Sequence, residues 1–461
     1  MRYGKLLITQ LCLAIAATNA NAQATKEIND QNTPLHLMQP QYDTPYAIPT
    51  ETEVKSTIDR VLTYLESAMP ATVEDNRLTQ GSFRLTSYEA GVLYAAMLNT
   101  GASTGDKRYT QFAIDRLSLI AKQATKEAKA LEKDKEYDKQ MRMVLYPGAL
   151  DDCGAMASAY FRMQQMLPKA VHKDVTDRYI DFVRNKQYRL SDGIFARKRP
   201  HVNTVWLDDM YMGVPCMAWY GVVNNDASAI NDAIKQIELF KDRMWVPEKK
   251  LFRHGWVESM KPHHAYHWGR ANGWALLTMC EVLDALDTAP GNETTQKQRE
   301  FVLSLLQNHI EGLSALQDKT GFWHQLVDRP DTYLETSCTA IYTYCMAHAI
   351  NKGWIDAQAY GAQVLLAWQA CKTKVNSRGQ VEGTCVGTGM GFDPAFYAYR
   401  PVHAMAAHGY GPMIWAGSEV IKMLKTTHPK MNDSAIRFYK TPQNTDKPIF
   451  TEDNHNTDIL W

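Results

Sequence analysis

The sequence predicts an all-α chain folded as an (α/α)6 barrel, six inner helices ringed by six outer ones. Three observations lead there. From about residue 51 to 425, apolar residues recur at three- and four-residue spacing, as in Leu276, Met279, Cys280, Leu283 and Leu286. Val302, Leu305, Leu306, Ile310 and Leu313 repeat the pattern, which marks helices with a buried face. Long runs of alternating β-branched residues are scarce. Finally, apolar helices with small residues begin near Tyr88, Asp151, Asp208, Trp268, Glu335 and Gly409, about 57 to 74 residues apart. Each unit has room for one inner helix, one amphipathic outer helix and loops, the mark of a helix-pair array. An open solenoid is the structural alternative. The polar and aromatic clusters that open each inner helix favour closure, because a ring makes them converge on one pocket.

The elements follow in chain order. Residues 1–22 read as an export signal: Arg2 and Lys5, an apolar run from Leu6 to Ala17 broken by Thr9 and Gln10, then Ala20-Asn21-Ala22. Cleavage is expected after Ala22, giving a periplasmic or secreted protein. The run is shorter than the roughly 20 residues a membrane span needs. Cys12 lies inside it, which argues against a lipid-anchoring cysteine at the cut. Residues 23–50 are polar, with Pro34, Pro40, Pro45 and Pro49, and read as an extended N-terminal arm. The barrel is expected over 51–425. Residues 426–461, polar with Pro429, Pro442 and Pro448, read as a surface tail.

Lys plus Arg equals Asp plus Glu, 50 each, so a nucleic-acid or anionic-membrane partner is not expected. Eleven Trp and 23 Tyr supply faces on which sugars stack, although large helical cores consume the same residues. Cys153, Cys216, Cys280, Cys338, Cys345, Cys371 and Cys385 form no CxxC pair and sit in apolar surroundings, so they read as buried free thiols. No GxSxG elbow, HExxH or P-loop is present. Gly387-Thr388-Gly389-Met390-Gly391 follows no strand and is a loop. His263, His264 and His267 have no cysteine or carboxylate at ligand spacing, so no metal is expected.

The carboxylates carry more information. Asp151-Asp152-Cys153-Gly154 and Trp206-Leu207-Asp208-Asp209-Met210-Tyr211-Met212 each place two acids at the start of an apolar helix. Helix capping is one explanation. The other is catalytic. Adjacent helical residues diverge by about 100°, so one acid of each pair can face a shared pocket. Paired carboxylates in different environments perform acid–base work on glycosides. A third cluster, His267-Trp268-Gly269-Arg270-Ala271-Asn272-Gly273-Trp274, offers a guanidinium fork for a carboxylate and aromatic faces for a ring. Its alternative is a packed helix start with a structural arginine.

Trp206-x-Asp208-x-x-Tyr211-Met212 followed by Pro215, Trp268-Gly269-Arg270-x-Asn272-Gly273-Trp274, and Leu334-Glu335-Thr336-Ser337 together resemble glycoside hydrolase family 105. These are the unsaturated rhamnogalacturonyl hydrolases; the related family 88 unsaturated glucuronyl hydrolases share their fold and catalytic acids. The likeness runs from about Tyr88 to Glu419, with weaker matches at Tyr88-x-x-Gly91 and Leu251-Phe252-x-His254-Gly255-Trp256. Tyr88 stands where the family often has Trp, the stretch from His254 to Trp268 is short, and residues 393–412 differ from the usual loop.

The resemblance implies an (α/α)6 barrel that removes a terminal 4,5-unsaturated uronic acid from lyase-generated oligosaccharides, rhamnogalacturonan-like or otherwise rhamnose-containing, by hydrating C4=C5. Asp208 matches the catalytic acid, expected to hold its proton through burial and a neighbouring Asp152, which would position the ring or assist. Trp206, Trp268 and Trp274 are expected as walls, Arg270 and His254 as holders of the uronate's polar groups, and Tyr88 as a closing group. No cofactor is needed. Two other classes compete: an ordinary glycosidase on the same barrel, such as an α-mannanase acting on saturated sugars, and a non-catalytic sugar-binding protein.

Overall fold

The computed structural model describes residues 47–131, 138, 140–261, 266–431, 435–443 and 458–460. The export signal, all but the last residues of the N-terminal arm, and His263 and His264 lie outside the described residues.

Twelve helices make the barrel. The outer ones are α1 (Glu51–Ala68), α3 (Lys107–Leu131), α5 (Lys173–Asp181), α7 (Ala227–Met244), α9 (Glu293–Ser314) and α11 (Ala357–Lys372). The inner ones are α2 (Tyr88–Thr104), α4 (Leu150–Met166), α6 (Asp208–Asn224), α8 (Gly269–Thr288), α10 (Thr336–Asn351) and α12 (Tyr410–Thr427). Their first residues fall within one position of the six starts read from the sequence. Each inner helix packs on the next, and α12 returns to α2, so the ring is closed and the open solenoid is excluded. The chain belongs to the (α/α)6 class.

Two helix types follow from two residue patterns. Outer helix α1 buries Val54, Thr57, Ile58, Val61, Leu62, Leu65 and Ala68 along one stripe. Thr50 opens it with a capping box: its hydroxyl accepts from the Glu53 N–H at 3.2 Å, and the Glu53 carboxylate accepts from the Thr50 N–H at 2.9 Å. Inner helices are buried on all sides; in α8 every residue from Gly269 to Leu286 is covered. Close approach of these helices depends on missing side chains. A Cβ on Gly154 in α4 would lie 1.4 Å from the Met212 carbonyl oxygen in α6, and one on Gly91 in α2 would lie 2.6 Å from the Ala155 backbone.

Short antiparallel strand pairs lie at the N-terminal ends of the inner helices. Strand β1 (Thr204–Trp206) pairs antiparallel with β2 (Gly255–Val257), setting Trp206 opposite Gly255. Strand β3 (Trp323–His324) pairs with β4 (Leu334–Glu335). A short helix at Pro394–Ala398 follows the glycine-rich loop.

The C-terminal stretch differs from the surface tail expected of it. Phe438 is fully buried against Gly361 of α11, and Tyr439 bridges to Ile459. Apolar residues within a polar stretch supply this docking. All seven cysteines after the signal are buried and free. Among the described residues, no helix is long and apolar enough to cross a membrane.

Candidate active site

The inner helices all begin at one end of the barrel, and four of them (α4, α6, α8 and α12) have no side-chain N-cap. Their dipoles, with no side-chain cap, make this mouth attractive to an anion. The capping explanation for the paired aspartates therefore fails. The cap positions are Ala149 and Leu207, and the acids lie inside the first turn.

Asp208 is the first residue of α6, and its side chain is 13% exposed. The β1–β2 pairing brings His254 to it, and the Leu207 N–H donates to the His254 carbonyl at 2.9 Å. His254 Nε2 lies 2.9 Å from Asp208 Oδ2, and His254 Nδ1 lies 2.6 Å from the Tyr397 hydroxyl. The Trp268 ring packs against the imidazole, centroids 4.7 Å apart. Burial pushes the Asp208 carboxyl up, but His254, Arg197 and Arg270 hold it below its ordinary value. The expectation of a raised Asp208 is thus reversed: the His254 hydrogen bond and the Arg197 and Arg270 charges outweigh desolvation.

Asp209 turns away from Asp208, as neighbours on a helix must. Arg197 grips it at 2.6 and 2.8 Å, holds Asp151 at 2.8 and 3.0 Å, and lies 4.4 Å over the Trp206 ring. Asp151 is the acid of the first pair joined to this network. Asp152, the one expected there, instead meets Arg142 at 3.2 Å and accepts from the Gly148 N–H at 2.8 Å.

Across the mouth, the Tyr88 hydroxyl makes a short contact with His408 Nε2, and Glu89 Oε1 lies 3.4 Å from the same nitrogen. Burial, with Arg270 adding to it, holds His408 well below the usual imidazole range, so it is neutral. Burial raises Glu89.

Arg270 is 1% exposed and stacks 4.5 Å over Trp268. Its guanidinium donates to the carbonyls of Cys385 (2.7 Å) and Val386 (2.8 Å) and to the Ser337 hydroxyl (3.2 Å). Much of the fork expected for a uronate is therefore occupied by the glycine-rich loop. Glu335 helps: it accepts from the Ser337, Cys338 and Cys385 N–H groups at 2.7 to 3.0 Å. Trp274 is not a wall of the mouth. It lies one turn deeper, 1% exposed, with Tyr211 stacked on it at 5.1 Å.

The mouth thus gathers Tyr88, Trp206, Asp208, His254, Trp268 and Arg270, and leaves Asp152 and Trp274 facing elsewhere. The sequence reading missed Asp151's part in it, with Glu89, Arg197, Tyr397 and His408. Glu89 and His408 open inner-helix units and had a positional signal; Arg197 and Tyr397 had none. A surface cavity of about 660 Å³ lined by Glu51, Lys55, Arg60, Arg378 and Lys425 holds none of these residues. No group of three metal-ligating side chains occurs among the described residues. His267 is buried, with Nδ1 bound to the Phe252 carbonyl at 2.9 Å.

Residues 55–424 match the sequence model of Glycosyl Hydrolase Family 88. The unsaturated rhamnogalacturonyl hydrolase YesR of Bacillus subtilis (strain 168) is 26% identical over 261 residues, 55% of this chain and 72% of that protein. An unsaturated 3S-rhamnoglycuronyl hydrolase of Formosa agariphila is 25% identical over 278 residues, 57% of this chain and 70% of that protein. A solved structure of a possible member of the GH105 family from Salmonella enterica subsp. enterica serovar Paratyphi A superposes with TM-score 0.64. It is 22% identical and covers 84% of this chain and 97% of its own. With this match across most of its length and a closed helical barrel to carry it, the chain belongs to Glycosyl Hydrolase Family 88 and is a glycosidase.

Proposed function

We propose that the enzyme removes a 4,5-unsaturated uronic acid from the non-reducing end of lyase-generated, rhamnose-containing oligosaccharides by hydrating the C4=C5 bond. The observation that carries this reading is the Asp208–His254 couple, 2.9 Å apart in a mouth of helix N-termini without side-chain caps. The relatives named for unsaturated substrates support the substrate class.

Asp208 is a carboxylate in the empty site. Arrival of the substrate's own carboxylate, together with loss of water, disfavours that charge and drives uptake of a proton from solvent. Asp208 then gives this proton to C4, and its carboxylate takes one from a water that bonds to C5. The resulting hemiketal opens to a C5 ketone. C1 is left as a hemiacetal and sheds the partner sugar. Trp206 lies beside the ring, the buried Trp268 backs His254 and Arg270, and the uncapped helix ends attract the sugar's carboxylate. The export-signal pattern of residues 1–22 supports placing this activity in the periplasm or outside the cell, which fractionation of the producing cells tests.

Turnover of a lyase digest in heavy-oxygen water tests the mechanism. The ultraviolet absorption of the conjugated double bond should vanish as the sugar is released, with the label on C5. Label on C1 with the double bond intact would sink hydration and favour an ordinary glycosidase.

A further inference from the structure

Tyr397 belongs to no motif, and the reaction proposed above does not use it. It sits on the Pro394–Ala398 helix, which Asp393 caps by accepting from the Phe396 N–H at 2.9 Å. Its ring is fully buried and packs against His254 with centroids 5.6 Å apart.

The donors and acceptors around its hydroxyl admit one arrangement. The Gly391 N–H lies 3.0 Å from the phenol oxygen and can only donate, so the oxygen accepts there. The phenol's own hydrogen then needs an acceptor, since a buried donor left unpaired is costly. Among the described residues, the other group in reach is His254 Nδ1, at 2.6 Å. Nδ1 is therefore the accepting nitrogen, and the ring hydrogen is on Nε2, facing Asp208 Oδ2. The ring is held in place by Trp268, and its backbone N–H donates to the Tyr266 carbonyl at 2.8 Å.

We infer that Tyr397 is a positioning residue: its donation to Nδ1 fixes the His254 tautomer whose Nε2–H keeps Asp208 a carboxylate until substrate arrives. The inference rests on Asp208 being the acid of the proposed reaction. Its hydroxyl prevents the opposite tautomer, in which a bare Nε2 would accept from a protonated Asp208 and favour that form in the empty site.

The test compares the parent with Tyr397→Phe, which removes one hydroxyl and keeps the ring. If Asp208 must be protonated to react, kcat/KM falls on the alkaline side of its free-enzyme pKa. In Tyr397→Phe this fall should move to higher pH, because a bare Nε2 favours the protonated acid, with KM within about twofold. Ring 15N shifts in histidine-labelled protein, assigned with His254→Gln, should show Nε2 protonated in the parent and a changed tautomer in Tyr397→Phe. Nδ1 protonated in the parent would overturn the inference, as would an unmoved tautomer with a superimposable pH profile. Should the parent fail to turn over unsaturated oligosaccharides, the proposed reaction falls, and the 15N result still decides what Tyr397 does.

Discussion

Gly154 of α4 and Met212 of α6 touch backbone to backbone: a Cβ on the glycine would sit 1.4 Å from the methionine's carbonyl oxygen. Neither side can yield, because each is part of an inner helix buried all round. Overpacking a core costs about 1–3 kcal/mol where side chains can shift, and more is expected here, where backbone blocks backbone. Gly154→Ala should therefore fail to yield folded protein or melt far below the parent. Gly291→Ala, where nothing lies within 4 Å, should melt like the parent. Equal melting of both variants would contradict the close packing of α4 on α6.

Asp208→Asn should fold normally, because the amide oxygen can still accept from His254 Nε2–H. It cannot donate and recover a proton, so turnover should fall by about 10²–10⁴-fold. Steady-state kinetics on a lyase digest, with circular dichroism as the folding check, decide this. Near-parent turnover in folded protein moves the acid elsewhere, with Glu89 the next buried carboxyl at the mouth.

The two acids at the start of α4 should behave differently. Asp151 shares Arg197 with Asp209 beside Trp206, so Asp151→Asn should loosen that wall and lower kcat/KM by about tenfold, one hydrogen bond to a charged group being worth roughly 1.5–3 kcal/mol. Asp152 is tied to Arg142 and the Gly148 amide, and Asp152→Asn should stay within about threefold of the parent, because both contacts lie away from Asp208. The reverse order would restore Asp152 to the reacting group.

The contrast between these aspartates shows what the sequence could convey. The starts of the inner helices were legible because each is apolar on every face and opens with a polar or aromatic cluster, a signal repeated six times. Which of two adjacent acids enters the mouth depends on a rotation of about 100°, and both are compatible with the same pattern. Trp274 was misjudged for a related reason. It lies four residues beyond Arg270, on the same face but about 6 Å further along the axis, where Tyr211 covers it. Tyr397 reaches His254 across 143 positions, and Arg197 reaches Asp151 across 46. No local period encodes such contacts.

Arg270→Lys should act on the loop before the substrate. An ammonium cannot reproduce the planar fork that spans Ser337, Cys385 and Val386. The expected loss is about 1.5–3 kcal/mol for one charged hydrogen bond, seen as a lower Tm and faster proteolysis within residues 385–400. A raised KM with unchanged Tm and proteolysis would instead assign Arg270 to the substrate's carboxylate.

At the other end of the inner helices, His348 lies 3.1 Å from Asp284 and 3.3 Å from Glu419. Lys352 also reaches Asp284, at 2.6 Å, and Asn99 and Asn351 donate to Glu419. Burial opposes charge on His348, but the two carboxylates hold it well above the usual imidazole range. Burial likewise opposes charge on Glu419, yet His348 brings it down to about 2, and Asp284 is lowered in the same way. The raised histidine stabilises the fold fully below its unfolded value of about 6.5, and this contribution fades as pH rises toward the folded value. The lowered acids contribute above about 4.5 and lose their share as pH falls toward 2. The network's contribution should therefore be greatest between about pH 4.5 and 6.5. His348→Gln leaves two buried carboxylates without their shared cation, a loss of about 3–5 kcal/mol when such pairs are broken. Melting curves from pH 5 to 9 should show the Tm deficit of His348→Gln largest near pH 6 and shrinking toward pH 9. A deficit that stays constant across that range would mean that His348 is neutral in the folded protein.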